Sequence, residues 1–342
     1  MNARLDATLL DLLNHLEAQA LPSTGQDLPL YGVLRYHLGY VDEDFQAAGF
    51  DQGKRIRPLI CLLACQAAGG DVEQALPVAA AIEMIHNFTL IHDDIQDQSA
   101  LRRHRPTVWS LWENAQAINA GDALFAAGHM MLLRSREAGL PAETIIELSE
   151  ALHGTTLKIV EGQVLDLGFE ARPDVSADEY LTMIGGKSAA IIGYACFAGA
   201  TVAGASREVV EHLAEFGRAT GVAFQIRDDL LGVWQPAEET GKPEADDIRR
   251  RKKSLPVLLL RDRLSDRDWE TVTEMYRQPE LDPAQVQHVL ELMERYEIRP
   301  LVQQQVQHWH DVAVSHLAAA IPDSAARAEL FALTEALVDR RA

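Results

Sequence analysis

Cysteine is scarce in this chain, with three in 342 residues. Cys61 and Cys65 lie at positions i and i+4, which excludes the CxxC spacing of redox and zinc motifs. We interpret these cysteines as small core residues. The odd cysteine count and the lack of a recognisable signal peptide predict a protein of the reducing cytoplasm.

Positive charge is also scarce, because 31 Lys and Arg face 51 Asp and Glu and the formal net charge is −20. A duplex nucleic-acid partner is excluded, since phosphate binding needs a basic face. Alternating strand patterns, internal repeats and low-complexity tracts are missing as well. What is present is helical periodicity broken by Gly, Pro and Asp, which predicts one all-α domain over residues 1–342 with ten or more helices.

One segment is long and apolar enough to suggest a membrane span. Residues 188–206, SAAIIGYACFAGATVAGAS, contain no charge and approach the length that crosses a bilayer. The segment is rich in Ala, Gly, Ser and Thr, however, and such a composition is typical of closely packed buried helices. We therefore predict a core helix and no membrane span.

Three aspartates interrupt an apolar helical pattern in the stretch HNFTLIHDDIQDQSALRRHRPTVW. In a helix Asp93, Asp94 and Asp97 share one side, with Cβ atoms about 5–6 Å apart. Two carboxylates at that separation repel by roughly 2–3 kcal/mol at an effective dielectric of 20. A hard divalent cation such as Mg²⁺ would relieve this repulsion. The alternative is a solvated acidic turn on a surface helix.

A second acidic cluster interrupts a later helical pattern in FQIRDDLLG. Gln225, Asp228 and Asp229 lie on one helical face, at i,i+3 and i,i+4 spacing. A polar loop with Lys242 follows, and then DDIRRRKKSLP with Lys252. The basic run resembles a localisation or nucleic-acid patch when read alone, but beside two acidic clusters it suggests phosphate ligands.

Weaker signals lie in three other places. Lys54 and Arg57 occur where GKRIRP opens an apolar helix, and a helix N-terminus favours anions. Gln163 and Asp166 are spaced i,i+3. Lys187 and Ser188 open the uncharged segment, where Ser188 could simply cap a helix.

Taken in this order, the motifs resemble the trans-isoprenyl diphosphate synthases, the polyprenyl synthetase family. DDIQD with LRRHRPT is similar to the family's first aspartate-rich motif. QIRDDLLG with GK and KKSLP is similar to the second, and GKRIRP is similar to the homoallylic diphosphate site. The resemblance implies the isoprenoid synthase fold, a helical bundle around a central apolar cavity, and a homodimer.

The resemblance also implies the reaction, a Mg²⁺-dependent condensation of isopentenyl diphosphate with an allylic diphosphate. It assigns isopentenyl diphosphate to Lys54, Arg57, His86 and Arg103. It assigns Mg²⁺, three ions with diphosphate bound, to Asp93, Asp94, Asp97, Asp228 and Asp229. It assigns the allylic diphosphate to Arg102, Lys187, Gln225, Lys242 and Lys252. It assigns the lining of the reacting end to Ser188, Gln163 and Asp166. Of these, the residues predicted to be catalytic are Asp93, Asp94, Lys187, Gln225 and Asp228.

The second motif departs from the family pattern at one position. Gly232 stands where a third acid is usual, so one metal loses an outer partner. Asp246 or Asp247 could replace it, and the sequence does not choose between them.

Product length is predicted from the residues just before the first motif. Phe88 precedes Asp93 by five residues, about 7.5 Å along a helix. An aromatic there, the small Thr89 beside it and no insertion between Asp94 and Asp97 resemble a geranylgeranyl (twenty-carbon) synthase. Alternatively, Phe88 only packs against a neighbouring helix and a deeper residue sets the length.

Several other activities stay open from the sequence. The chain could be a farnesyl synthase or a longer-chain polyprenyl synthase. It could also be a class I terpene cyclase, although the cyclase's second metal motif is missing, or a non-catalytic subunit of a heteromeric synthase.

Overall fold

The computed structural model of the chain describes residues 1–21, 29–170, 172, 174–235, 245–278 and 280–338. The first helices are α1 (Asn2–Ala18), α2 (Leu30–His37), α3 (Ile56–Ala67), α4 (Val72–Gln96), α5 (Val108–Leu133) and α6 (Ala142–Glu170). Then follow α7 (Ala177–Ile184), α8 (Ala190–Val202), α9 (Arg207–Trp234), α10 (Asp246–Arg249), α11 (Leu255–Arg261) and α12 (Asp266–Tyr276). The last are α13 (Pro283–Arg295), α14 (Ile298–Ala320) and α15 (Ala325–Val338). A 3₁₀ turn covers Arg134–Arg136 and a π-helix covers Gly185–Ala189.

The chain forms two compact units. The first comprises Met1–His153 and Ala195–Val210, and the second comprises Gly154–Tyr194 and Glu211–Ala342. The prediction of one domain over residues 1–342 stays a prediction.

Helix α4 is the central element of the first unit. It packs against α1, α3 and α5, and most of its length is buried. Its N-terminus is capped by Asp71, whose Oδ1 accepts the backbone N–H of Glu73 at 2.9 Å. The first aspartate-rich motif lies at the other end of this helix, so the packed core fixes its position.

The core of the second unit is built from α7, α9, α11, α13 and α14. In α9 the buried side chains Val222, Ile226, Leu230 and Val233 recur at helical spacing. Asp228 and Asp229 fall inside this apolar stripe, near the carboxyl end of the helix. The second motif is thus also carried by a core helix.

The all-α prediction is confirmed by this element order. The described part of the chain has one small sheet, the antiparallel pair β1 (Leu101–Arg102) and β2 (Arg105–Pro106). Two residues per strand are too few to produce an alternating pattern, so this sheet could not be predicted from the sequence.

The uncharged segment lies largely in α8 and the preceding π-helix. Among the described residues, the continuous helical stretch Ala177–Val202 is long and apolar enough to cross a membrane, with a mean hydropathy of 1.3. Of that window, 56% is buried inside the protein, as expected for a core helix. The absence of a membrane span stays a prediction.

Candidate active site

The carboxyl end of α4 presents the first acidic set. Asp94 is 2% exposed and is held by Arg102, whose Nε donates to both carboxylate oxygens at 2.9 and 3.0 Å and whose Nη2 lies 2.8 Å from Oδ1. Burial raises the pKa of Asp94, and Arg102 opposes that shift. Asp93 is half-buried and Asp97 is exposed. The three predicted metal ligands therefore differ in exposure, and Asp94 is paired with the guanidinium of Arg102.

Arg102 reaches Asp94 because it lies in the β1–β2 hairpin, where it pairs with Arg105. The two turn residues, Arg103 and His104, have φ of 50° and 61°. A two-residue loop with positive φ at both positions is a type I′ turn, which Asn and Gly adopt at lower cost. Arg103 and His104, which are not glycines, therefore hold a strained backbone conformation in this turn.

Arg105 offsets that strain by anchoring the hairpin. Its guanidinium lies 4.0 Å from the ring centroid of Tyr36 and 3.9 Å from that of Phe50. It also donates to the carbonyls of Tyr36 and Val41, both at 3.1 Å. Arg105 is therefore structural, and its contacts hold in place the hairpin that carries Arg102 and Arg103.

A basic set lies in the same unit. Arg57 Nη1 donates to His86 Nε2 at 3.1 Å. Because arginine only donates, Nε2 accepts and the neutral imidazole carries its proton on Nδ1. Burial, and next the charge of Arg57, hold the pKa of His86 well below its usual value. A Cβ on Gly53 would lie 2.5 Å from Nη2 of Arg103, so that guanidinium rests against the backbone beside the exposed Lys54.

Arg55, in the middle of the same motif, faces inward instead. It is buried, and its Nη2 lies 3.0 Å from both Tyr40 Oη and Asp6 Oδ1 and 3.1 Å from Gln52 Oε1. The motif therefore alternates between a structural anchor and candidate ligands, a distinction that the letters GKRIRP do not show.

In the second unit, the π-helix presents Lys187 and Ser188. Lys187 Nζ donates to Asp166 Oδ2 at 2.5 Å, and Ser188 Oγ donates to Gln225 Oε1 at 2.7 Å. Helix α6 approaches this segment closely, since a Cβ on Gly162 would lie 2.3 Å from the backbone nitrogen of Lys187. π-helical turns often occur at functional sites. Here the two residues of the turn that were predicted to belong to the site, Lys187 and Ser188, bind Asp166 and Gln225, which were also predicted.

Asp229 is the most enclosed acid of the second motif, at 1% exposure. Its Oδ2 accepts Tyr180 Oη at 2.5 Å and the backbone N–H of Leu255 at 3.1 Å. Its Oδ1 lies 3.4 Å from Gln225 Nε2 and 3.5 Å from Lys252 Nζ. Protein groups therefore surround the carboxylate. The burial of Tyr180, and next the charge of Asp229, raise the pKa of the Tyr180 hydroxyl.

Four predicted residues of the second motif and its surroundings remain to be described. Asp228 is half-buried and Gln163 is buried. The charge of Asp229 raises the pKa of Lys252, so this lysine stays protonated. Lys242 lies outside the described residues.

The predicted residues thus fall into one set in each unit. The first holds Lys54, Arg57, His86, Phe88, Thr89, Asp93, Asp94, Asp97, Arg102 and Arg103, and the second holds Gln163, Asp166, Lys187, Ser188, Gln225, Asp228, Asp229 and Lys252. Sequence reasoning missed Tyr180 and His37. Tyr180 donates to Asp229 from a different helix, and His37 has its pKa lowered to about 3 by burial and by Arg102 and Arg103. No local pattern marks either residue.

Comparison with known proteins shows the family to which the chain belongs. The model of the polyprenyl synthetase family matches residues 42–293. The chain belongs to the polyprenyl synthetase family. A curated relative, the (2E,6E)-farnesyl diphosphate synthase of Mycobacterium tuberculosis (strain H37Rv), is 46% identical over 225 residues, which are 66% of this chain and 61% of the relative. The chain thus matches less than two thirds of that polyprenyl synthetase.

Solved structures of polyprenyl synthetases cover nearly the whole chain. The polyprenyl synthetase of Streptomyces coelicolor A3(2) is 31% identical, with a TM-score of 0.85 and 98% of each chain covered. The geranylgeranyl pyrophosphate synthase of Corynebacterium glutamicum, solved with isoprenyl diphosphate and magnesium, is 28% identical, with a TM-score of 0.79 and coverage of 99% of this chain and 98% of that one. These structures support the isoprenoid synthase fold predicted from the sequence.

Proposed function

We propose that this polyprenyl synthetase is a Mg²⁺-dependent prenyltransferase that condenses isopentenyl diphosphate with an allylic diphosphate. The observation that carries the proposal is that each aspartate-rich motif lies near the carboxyl end of a core helix beside a cation that can bind phosphate. In the first unit Arg102 accompanies Asp94, and in the second Lys252 accompanies Asp229. The Corynebacterium synthase was solved with isoprenyl diphosphate and magnesium, which supports the same ligands for this chain.

The candidate metal ligands fit magnesium. All of them are carboxylate oxygens, which hard cations prefer, and no sulfur or imidazole is among them. Within the described ranges, no three His, Cys, Asp or Glu side chains converge on one point that could hold an ion. Mg²⁺ takes one or two protein carboxylates and completes its shell with water and substrate phosphate. We propose three ions with diphosphate bound.

Bound Mg²⁺ would stabilise the negative charge of the departing diphosphate as a Lewis acid. The side chains Arg102, Lys187, Lys252 and Gln225 would bind the same diphosphate and stabilise its charge as the allylic C–O bond breaks. Arg57, Arg103 and Lys54 would hold isopentenyl diphosphate, with the neutral His86 orienting Arg57. The double bond then attacks the allylic carbocation and a proton is lost to the released diphosphate. No Ser, Cys or His nucleophile is needed, and water would have to be kept from the carbocation, which it would quench.

For the product we propose geranylgeranyl diphosphate. Phe88 is 8% exposed and packs edge-on against Phe125, with ring centroids 5.3 Å apart. The imidazole of His92 also contacts the ring of Phe88, with ring centroids 5.5 Å apart. The adjacent Thr89 is small, and its hydroxyl donates to the carbonyl of His86 at 2.7 Å. The packing of the Phe88 ring supports the proposal that it stops the growing chain, and its contact with Phe125 also agrees with the purely structural alternative.

We also propose a cytoplasmic homodimer. Leu157, Val160, Val164 and Leu167 of α6 are exposed and recur at the spacing of one helical face. A contiguous apolar stripe of this kind marks an interaction surface, and a second copy of the chain is the occupant that the family resemblance implies. Val164→Lys should shift the mass measured by light scattering from dimer to monomer, whereas Lys158→Glu, at an exposed position on another face of the same helix, should not. A dimer that survives the first change would remove this stripe from the interface.

The activity is tested by incubating the purified chain with Mg²⁺, isopentenyl diphosphate and allylic primers of different lengths. We expect elongated diphosphates, ending at twenty carbons, by mass spectrometry, and none after chelation of the metal. Geranylgeranyl diphosphate supplied alone should stay unreacted, since a cyclic hydrocarbon would indicate a terpene cyclase. A chain inactive on every primer would contradict the proposal and favour a non-catalytic subunit.

A further inference from the structure

Asp247 occupies the space that a side chain at position 232 would fill. Gly232 follows Asp228 by one helical turn of α9, where the two positions share a face. A Cβ placed on Gly232 would lie 2.5 Å from Oδ2 and 2.7 Å from Cγ of Asp247. The carboxylate therefore lies at the place where a third acid of the second motif would project.

The surrounding structure fixes Asp247 in this position. Its Oδ2 lies 3.6 Å from Lys252 Nζ, and its carbonyl accepts the backbone N–H of Lys252 at 2.8 Å. The flanking residues Ala245 and Arg251 have φ of 53° and 57°, so left-handed backbone brackets the short helix α10. Asp246 instead contacts only the exposed Arg250, at 4.0 Å, among the ion pairs of the described residues. The structure therefore distinguishes two neighbouring acids that the sequence left equivalent.

Asp229 is poorly placed to act as a metal ligand. Its Oδ2 already accepts two hydrogen bonds, from Tyr180 and from the backbone of Leu255, and its Oδ1 faces Gln225 and Lys252. A carboxylate offers about four lone-pair sites, and the partners of Oδ2 are a buried tyrosine and a backbone N–H. Neither can leave to bind a substrate, whereas Arg102, the partner of Asp94, is itself a candidate ligand of the diphosphate. Asp229 is suited to positioning Lys252, which bridges it to Asp247.

We propose that Asp247 stands in for the acid missing at Gly232 and, together with Asp228, provides the carboxylates of the second motif toward Mg²⁺ and diphosphate, while Asp229 is a positioning residue. This inference rests on the proposed function. It replaces Asp229 by Asp247 in the set of metal ligands predicted from the sequence.

The test compares Asp247→Asn with Asp246→Asn, which makes the same chemical change one residue away. One readout is the Mg²⁺ concentration that gives half-maximal turnover, and the other is the rise in melting temperature on adding Mg²⁺ and inorganic pyrophosphate. For Asp247→Asn we expect a 10- to 100-fold higher Mg²⁺ requirement, the loss typical when a group supporting a metal site is removed, and loss of the stabilisation. Asp246→Asn should behave as the unaltered chain in both measurements.

An exchange of positions keeps the inference testable even if Asp247→Asn folds poorly. Gly232→Asp combined with Asp247→Ala moves the acid into the motif and should restore both readouts. If Asp247→Asn keeps normal Mg²⁺ dependence and normal stabilisation, or if the exchange restores neither readout, the inference is overturned. The melting measurement uses no turnover, so it separates this outcome from failure of the proposed function, in which the unaltered chain makes no elongated product.

Discussion

At the scale of single residues, product length should depend most on Phe88. Replacing Phe88 with Ala removes a ring that is packed against Phe125, and the space gained should admit a longer hydrocarbon tail. We therefore expect Phe88→Ala to shift the products beyond twenty carbons, as sized by mass spectrometry.

Thr89→Ser is the matched control for this change, because it keeps a small hydroxyl side chain at the neighbouring position, and it should leave the product unchanged. If Phe88→Ala makes the same product as the unaltered chain, Phe88 is only a packing residue.

A second single-residue prediction concerns the stability of the fold in acid. Burial and the charges of Arg102 and Arg103 lower the pKa of His37 to about 3, below the unfolded value of about 6.5. The neutral imidazole thus contributes its full stability above pH 6.5, and this contribution is lost as the pH falls toward 3. Between pH 7.5 and 5.5 the loss should be about 1.4 kcal/mol.

Denaturant unfolding at the two pH values measures this loss. His37→Gln should flatten the pH dependence by that amount, whereas His104→Gln, at the exposed hairpin turn, should leave the slope unchanged. An unaltered slope in His37→Gln would show that His37 titrates normally.

At the scale of secondary-structure elements, the packing of α6 against the π-helix is the contact most sensitive to one added carbon. A Cβ on Gly162 would lie 2.3 Å from the nitrogen and 2.8 Å from the Cα of Lys187, and neither backbone atom can turn aside. Gly162→Ala should therefore cost about 1–3 kcal/mol in the free energy of unfolding and reduce turnover by displacing Lys187.

Gly154 lies on the same helix, and a Cβ there meets nothing within 4 Å. Gly154→Ala should therefore stabilise the protein by up to about 1 kcal/mol, through helix propensity alone. Thermal melts of the two variants give the comparison, and equal effects from both substitutions would contradict the tight packing.

The same elements show what the sequence could and could not predict. The helices were predictable because their apolar residues recur at helical spacing, as in α9 with Val222, Ile226 and Leu230. The hairpin was not predictable, since its turn holds Arg103 and His104 where the turn type favours Asn and Gly. The π-helix at Gly185–Ala189 was also missed, because it depends on the close approach of Gly162 from another helix.

The sequence was enough to predict which residue types make up the candidate site. It was not enough to predict which side chains those residues contact. Motif order assigns Arg55 and Arg57 to the same basic segment, but only the structure shows Arg55 buried against Tyr40 and Arg57 on His86. The proposed role of Asp247 likewise depends on its distance to Gly232, fifteen residues earlier in the chain. Such pairings are set by tertiary contacts, which a single sequence does not encode in any local pattern.

At the scale of the whole molecule, we propose that both aspartate-rich motifs act in the same chemical step. Residues that act as a unit show strongly non-additive losses when they are removed together. Asp93 and Asp228 provide the pair, because one lies in each unit and both are half-buried acids.

The most direct test is therefore a double-mutant cycle on the rate of condensation, with circular dichroism confirming the helical fold of each variant. Asp93→Ala and Asp228→Ala should each lower kcat by at least about 100-fold, as when one stabilising contact to a developing charge is lost. The double variant should be little worse than the poorer single variant. Turnover close to that of the unaltered chain in either single variant, or losses that simply multiply in the double variant, would contradict the account.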